Sequence, residues 1–407
     1  MVDASSLLSA RAVRERAHRL LALGLDDRLP HFRIDLAQLD ATADLVLAVT
    51  RKAYPTGDIP FHSRWRHFVV DGHDRWAGIA ERVTWPDAAA RARAEFDLAI
   101  TSVLLDAGAG PAWRYHDAVT GQHIGRSEGL ALASLDMFAR GAFSARAGEP
   151  LRVDAERLAK LSVGDLERGF QISDDNPLVG LEGRVALLRR LGDLVASKRD
   201  IFAGEDSARP GGLFDHLAAH ATGGRIVAAT ILSELLIQLG PIWPSRITLD
   251  GVALGDCWRH PALTSDDATS DLVPLHKLSQ WMTYSLIEPL QRAGIAVVDI
   301  DGLTGLAEYR NGGLFVDGGV LVPRDADDAA RAHAVDSPLV VEWRALTVAL
   351  LDRLAIVIRQ RLGRDAESLP LAKILEGGTW AAGRKLAFER QPDGSPPLKV
   401  ISDGTVF

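Results

Sequence analysis

The 407-residue chain has a single cysteine, Cys257. No disulfide can close within it, and a reducing cytoplasm is the expected home. Next to Trp258, that cysteine reads as a buried thiol. Long Lys/Arg runs are missing too. With a net charge of −8, nucleic acid is excluded as the bulk partner, although a local cationic site for a small anion is not. No apolar run is long enough for a bilayer. The most apolar helix-like stretch, residues 346–358, is broken by Asp352 and Arg353, and the first six residues lack a basic start and an apolar signal core. A soluble protein without membrane contact is expected.

Several familiar sites are absent as well. There is no G-x-S-x-G elbow, and Gly223-Gly224 follows no predicted strand, which argues against a dinucleotide fingerprint or a P-loop. His216 and His220 have the i, i+4 spacing of a zinc helix, but no Glu follows the first of them. They read as helix-surface histidines, so neither a metal nor a cofactor is expected.

What is present is mostly helix. Hydrophobic residues make up 47% and charged residues 25%, an ordinary globular balance. Helical spacing is expected over 4–24, 36–54, 87–107, 127–139, 181–197, 224–239, 275–290 and from Ser337-Pro338 to about Leu362. Small hairpins are expected after Phe68-Val69-Val70, through Thr120-Gly121 and at Asp250-Gly251. No strand–helix alternation, repeat or linker appears. The expectation is a mainly α chain, one large helical unit (1–407) with one or two small β-hairpins. Within it, 1–150 forms an N-terminal subregion, 151–375 a helical core and 376–407 a tail, whose apolar Val-Phe end is expected to dock.

The densest chemistry lies in residues 299–315. Asp299 and Asp301 precede Glu308-Tyr309-Arg310, and Gly312-Gly313 follows. Glu308 and Arg310, two apart, do not share a helix face and so fit a helix end or turn. There they form either a surface ion pair or a carboxylate and a cation converging on a ligand. In the 275–290 helix, Leu275, Leu278, Met282, Leu286 and Leu290 make one stripe. Lys277, Gln280 and Tyr284, with Trp281 beside them, occupy the opposite side, read as either a snorkelling lysine over aromatics or a half-buried pocket lining. His62, Arg64 and Trp65 add a second cationic and aromatic group. Carboxylates beside cations and aromatics suit a reaction that builds positive charge on carbon. Cleavage of an N-ribosyl bond, with its oxocarbenium-like transition state, is one such reaction.

The segments Glu376-Gly-Gly-Thr-Trp-Ala-Ala-Gly-Arg384 and Ser402-Asp-Gly-Thr-Val-Phe407 resemble the uracil-catabolism family of bacteria and fungi. Residues 303–313 and 243–251 extend that resemblance over essentially the whole chain. Members of this family are encoded with enzymes of the ring-opening pyrimidine pathway and are sometimes labelled uracil phosphoribosyltransferases. The present sequence has no strand–loop–helix phosphoribosyl-diphosphate site. A more distant resemblance is to the queuosine-salvage nucleotide N-glycosylases, helical proteins akin to helix-hairpin-helix DNA glycosylases. Leu303-Thr304…Ala307-Glu308-Tyr309-Arg310 is similar to their Leu-Thr…Ala-Asp-Tyr-Arg motif. Lys277-Leu-Ser-Gln280, Phe61-His-Ser-Arg-Trp65 and Glu342-Trp-Arg-Ala345 resemble further motifs in the same order.

That second resemblance implies a glycosylase-like helical fold and hydrolysis of the N-ribosyl bond of a ring-opened product, ribosylurea or its 5-phosphate, to urea and sugar. Glu308 or Asp301 would be the catalytic acid. Lys277, Arg310, Tyr309, Gln280, Tyr284, Trp281, His62, Arg64 and Trp65 would bind substrate, with Thr379 and Arg384 closing the site. The expected partners are a small-molecule substrate and transient contacts with other uracil-pathway enzymes. A ureido amidohydrolase or deaminase step, or a non-enzymatic scaffold for those enzymes, are the alternatives.

Overall fold

A computed structural model describes residues 4–203, 207–243 and 247–401. The expected docking of the terminal Val-Phe falls outside these residues, as does Pro244, read as closing a helix.

Helix dominates. The helices of eight or more residues are α1 (Ala10–Leu25), α2 (Leu39–Ala53), α3 (Ala88–Leu104), α4 (Arg126–Ala139), α5 (Leu181–Ser197) and α6 (Leu213–His220). They continue with α7 (Ala228–Leu239), α8 (Lys277–Arg292), α9 (Tyr309–Asp317), α10 (Pro338–Leu362) and α11 (Trp380–Arg390). The remaining order among the described residues lies in shorter helical segments and seven two-stranded ladders. Among the described residues no helix is long and apolar enough to cross a membrane.

The described residues divide into two compact units. One is drawn from 4–62, 247–280 and 299–401, the other from 63–203, 207–243 and 281–298.

In the first unit α10 is the hub. Ser337 caps its start by accepting from Val340 N–H and Pro338 occupies the first turn, as the Ser-Pro signal predicts, and Gly363 ends it with a left-handed φ of 60°. Its residues 339–351 are all buried, and α1, α2 and α9 pack against it. Such a helix has no solvated face to spare. Helix α11 packs on α9 at close range. A Cβ on Gly383 would lie 2.0 Å from the Arg310 carbonyl oxygen, so only glycine fits there. In the second unit α3 takes the central place, packing on α4, α5 and α6.

The hairpins at residues 69–74 and 248–253 turn through Asp71-Gly72 and Asp250-Gly251, all four with positive φ. That is the type I′ geometry favoured by Asp-Gly. The hairpin through Thr120-Gly121 is also formed, between residues 115–116 and 123–124.

Two expectations need correction. The helix expected from residue 224 starts at Ala228. Arg225–Val227 is instead a strand paired in parallel with Ala296–Val298, because the β-branched Ile226 and Val227 find a partner some seventy residues away. Residues 376–390, for which the sequence predicts a tail and no helix, are helical, continuing from Leu371–Ile374 through a π-turn at Leu375–Thr379. Gly377, Gly378 and Gly383 disguise the helix, since glycine costs about 1 kcal/mol in a helix interior. Here glycine allows close packing: a Cβ on Gly378 would sit 2.6 Å from the Val46 carbonyl oxygen.

Candidate active site

Glu308 stands at the N-cap of α9 in extended backbone (φ −122°, ψ 163°), with its carboxylate turned into the start of the helix. One oxygen accepts from Asn311 N–H at 2.6 Å and the other from Arg310 N–H at 2.7 Å. These are donors that no intrahelical carbonyl can satisfy. The residue is 8% exposed. Burial pushes its pKa up, while the two backbone N–H groups and the nearby Lys277 and His62 pull it down; the balance leaves it above the ordinary glutamate value. A buried carboxylate held this way is desolvated and fixed in direction, with Lys277 and His62 nearby.

His62 is itself held. Its Nδ1 is 2.8 Å from one oxygen of Glu376, whose other oxygen accepts from the Tyr54 hydroxyl at 2.9 Å. Glu376 lies on the π-turn before α11. Such turns put an extra residue into a helix and often present a functional side chain.

Two further links tie the Glu308 loop to the start of α8. Gln280 donates to the Thr304 hydroxyl at 2.8 Å. Arg344, on α10, donates to the Ala307 carbonyl at 3.1 Å and reaches both oxygens of Asp256 at 2.8 Å. Asp256 also accepts from the Lys277 N–H at 2.9 Å and from the Trp258 indole at 2.6 Å. Burial raises its pKa, but Arg344 and these donors outweigh it and hold the carboxyl at about 2. One ion pair therefore fixes the backbone beside Lys277 and just before Glu308.

Five buried side-chain polar atoms described in this unit have no hydrogen-bond partner: Arg16 Nη1, His276 Nδ1, Asn311 Oδ1, Trp343 Nε1 and Thr379 Oγ1. The Trp343 indole packs directly on Gly312, where a Cβ would lie 2.7 Å from Nε1. Buried polar atoms are rarely left without partners, and a ligand is one way to satisfy them.

The whole chain from residue 6 to 407 matches the family described as protein of unknown function (DUF1688). It is 39% identical over 415 residues to Protein urg3 of Schizosaccharomyces pombe, covering 99% of this chain and 98% of that one. It is 36% identical over 414 residues to Uracil catabolism protein 4 of Lachancea kluyveri, covering 93% and 92%. The chain belongs to the DUF1688 family.

In this DUF1688 chain the sequence candidates separate by unit. Glu308, Asp301, Tyr309, Arg310, Lys277, Gln280, His62, Thr379 and Arg384 lie in the first unit. Arg64, Trp65, Trp281 and Tyr284 lie in the second, all buried. Arg64 there donates to Ser102 Oγ at 2.6 Å and to the Ser127 carbonyl at 3.2 Å, pairs with Asp106 at 3.3 Å, and lies over the Trp281 ring. The Trp65 indole donates to the Ser285 carbonyl at 2.7 Å. The start of α8 is not the lysine-topped surface that a snorkelling reading describes, because Gln280 is fully buried.

Within the first unit, Asp301 and Glu308 differ sharply. Asp301 uses one oxygen to accept from Arg359 at 2.5 Å and from Leu371 N–H at 2.7 Å. It shares no partner with Glu308. Arg310 does not form a surface ion pair with Glu308. It is buried, donates to the Gly394 carbonyl at 2.8 Å and lies over the Tyr309 ring. Arg384 lies over Trp380. Sequence reasoning did not single out Glu376, Tyr54, Asn311 or Asp256. Glu376 had a signal, as the first residue of the Glu-Gly-Gly-Thr-Trp segment; the others had none.

Proposed function

We propose that this protein is an N-ribosyl hydrolase of uracil catabolism, acting in the cytoplasm on ribosylurea or its 5-phosphate and releasing urea. The pathway follows from the relative whose name is uracil catabolism protein. The reaction class rests on one observation above all: Glu308 is a buried carboxylate locked by two backbone donors at a helix start, with Lys277 and His62 facing it.

In the proposed step the C1′–N bond breaks with its electron pair passing to the urea nitrogen. Positive charge develops on the ribose C1′–O4′ unit. Glu308, already desolvated and oriented, stabilises that charge without reorganising and directs the water that adds to C1′. The water supplies hydroxide to carbon and, in sum, a proton to urea. His62, with Nδ1 committed to Glu376, handles that proton at Nε2. Lys277 holds the anionic end of a phosphorylated substrate or steadies Glu308. Asn311, Trp343 and Thr379 supply polar atoms for the urea and sugar. Asp256 and Arg344 are positioning residues.

The test is urea release by the purified protein from ribosylurea and from its 5-phosphate, each with and without chelator. Release from one of them that survives chelator supports the reading, and the better substrate decides the phosphate question. No release from either, with the ring-opening partner enzyme also present, overturns it in favour of a scaffold.

A further inference from the structure

The second unit contains a group of side chains that the proposed reaction does not use. His216 and His220 stand one turn apart on α6, their rings 4.5 Å between centroids. The first brings its Nε2 to within 2.7 Å of Glu234 on α7. The carboxylate absent from the α6 sequence is thus provided by the next helix. One ligand-type atom from each of the three residues lies within 4.8 Å of the others, and no other group of three such residues meets that condition among the described residues.

Two details fit a cation better than a plain histidine–glutamate hydrogen bond. The Nδ1 of His220 is 2.8 Å from the His216 carbonyl oxygen. A proton on Nδ1 fixes the tautomer and leaves the Nε2 lone pair as the binding atom, the usual arrangement of a metal-binding histidine. Gln238, one turn beyond Glu234, donates to the same carboxylate oxygen at 3.1 Å, which steadies it as an outer partner steadies a ligand.

We propose that His216, His220 and Glu234 form a binding site for a divalent transition-metal ion, zinc foremost. Two imidazoles and one carboxylate make a three-residue donor set suited to zinc and leave a fourth position for water. Tetrahedral bonds of about 2.0–2.1 Å require donor atoms about 3.3 Å apart. The three donor atoms lie within 4.8 Å of one another, and the half-buried His216 and Glu234 and the exposed His220 would draw together to that spacing around the ion. On binding, the proton between His216 and Glu234 moves to His216 Nδ1 or to solvent. The ion then clamps α6 to α7 across the connection that carries the strand Arg225–Val227. The Glu308 group contributes no ligand, so the site stands independently of the proposed hydrolysis.

The test titrates the full-length protein with zinc chloride against a chromophoric competing chelator and repeats the titration on three variants. The expected result is one equivalent bound by the wild type, with affinity at least about tenfold weaker in His220→Ala and in Glu234→Gln. His123→Ala should bind as the wild type does, since His123, beside His116 in the 115–124 hairpin, is not one of the three proposed ligands. Zinc should raise the melting temperature of the wild type and leave that of His220→Ala unchanged. His220 is exposed, so its loss should not unfold the chain. No stoichiometric binding by the wild type, equal affinity in His220→Ala, or loss of binding in His123→Ala would each overturn the proposal.

Discussion

At the scale of single residues the structure makes Glu308 carry two opposing demands. As an N-cap it stabilises α9, and as a buried carboxylate it costs desolvation. Because its folded-state pKa lies above the ordinary value, the folded state holds that proton more tightly than the unfolded chain does. Stability from this group is therefore lost as pH rises from the ordinary glutamate range through the raised pKa. Glu308→Gln should flatten that slope, measured as melting temperature against pH. The same substitution is expected to lower kcat for urea release by about 10²-fold or more while ligand binding persists. The wild-type rate should rise with pH through the raised pKa, since only the ionised carboxylate stabilises a cation. Full turnover in Glu308→Gln would move the role elsewhere, to Asp301 first.

At the scale of elements, two devices hold the candidate site together. The first is the Asp256–Arg344 pair, which joins α10, the Ala307 carbonyl and the first residue of α8. Asp256→Asn leaves the buried Arg344 without its counter-charge, a change that typically costs about 3–5 kcal/mol; chemical denaturation measures it. With the carboxyl held at about 2 against an ordinary 3.8, the wild-type contribution is complete above about pH 4. It fades as pH falls toward 2, a loss of roughly 2–3 kcal/mol. The second device is the contact of α11 with α9. Gly383→Ala places a methyl 2.0 Å from the Arg310 carbonyl oxygen and should destabilise by about 1–3 kcal/mol or more. Because α9 carries Glu308 at its start, the same variant should also lose activity at temperatures where it remains folded.

At the scale of the whole molecule, each compact unit is assembled from separated stretches of chain. The second unit needs residues 281–298 to complete residues 63–244, and its strand Arg225–Val227 has its partner at Ala296–Val298. Residues 63–244 expressed alone would lack that strand and the later turns of α8. They are expected to melt without a cooperative transition, whereas the full chain should show one; calorimetry distinguishes the two. Pro241 and Pro244 stand beside one passage between the units, at 244–245, whereas the passage at 280–281 lies inside α8, where no local break marks it.

Local signals in the sequence were sufficient for much of the fold. Ser337-Pro338 and Gly363 bracket α10, Asp-Gly pairs place two hairpins, and the two-residue spacing of Glu308 and Arg310 puts them at a helix end. Each depends on the backbone preferences of a few adjacent residues, which operate whatever the rest of the chain does. The lone Cys257 is likewise buried, with its thiol pKa pushed up to about 12 by burial. Tertiary structure alone decided the rest. It bound His62 and Tyr54 to Glu376, Asp256 to Arg344, and Glu234 to His216, partners 18 to 322 residues apart. It also made strands of Arg225–Val227 and Ala296–Val298, and used glycines that weaken a helix to bring α11 against α9. Such pairings depend on which surfaces are buried against each other, and no local spacing records that.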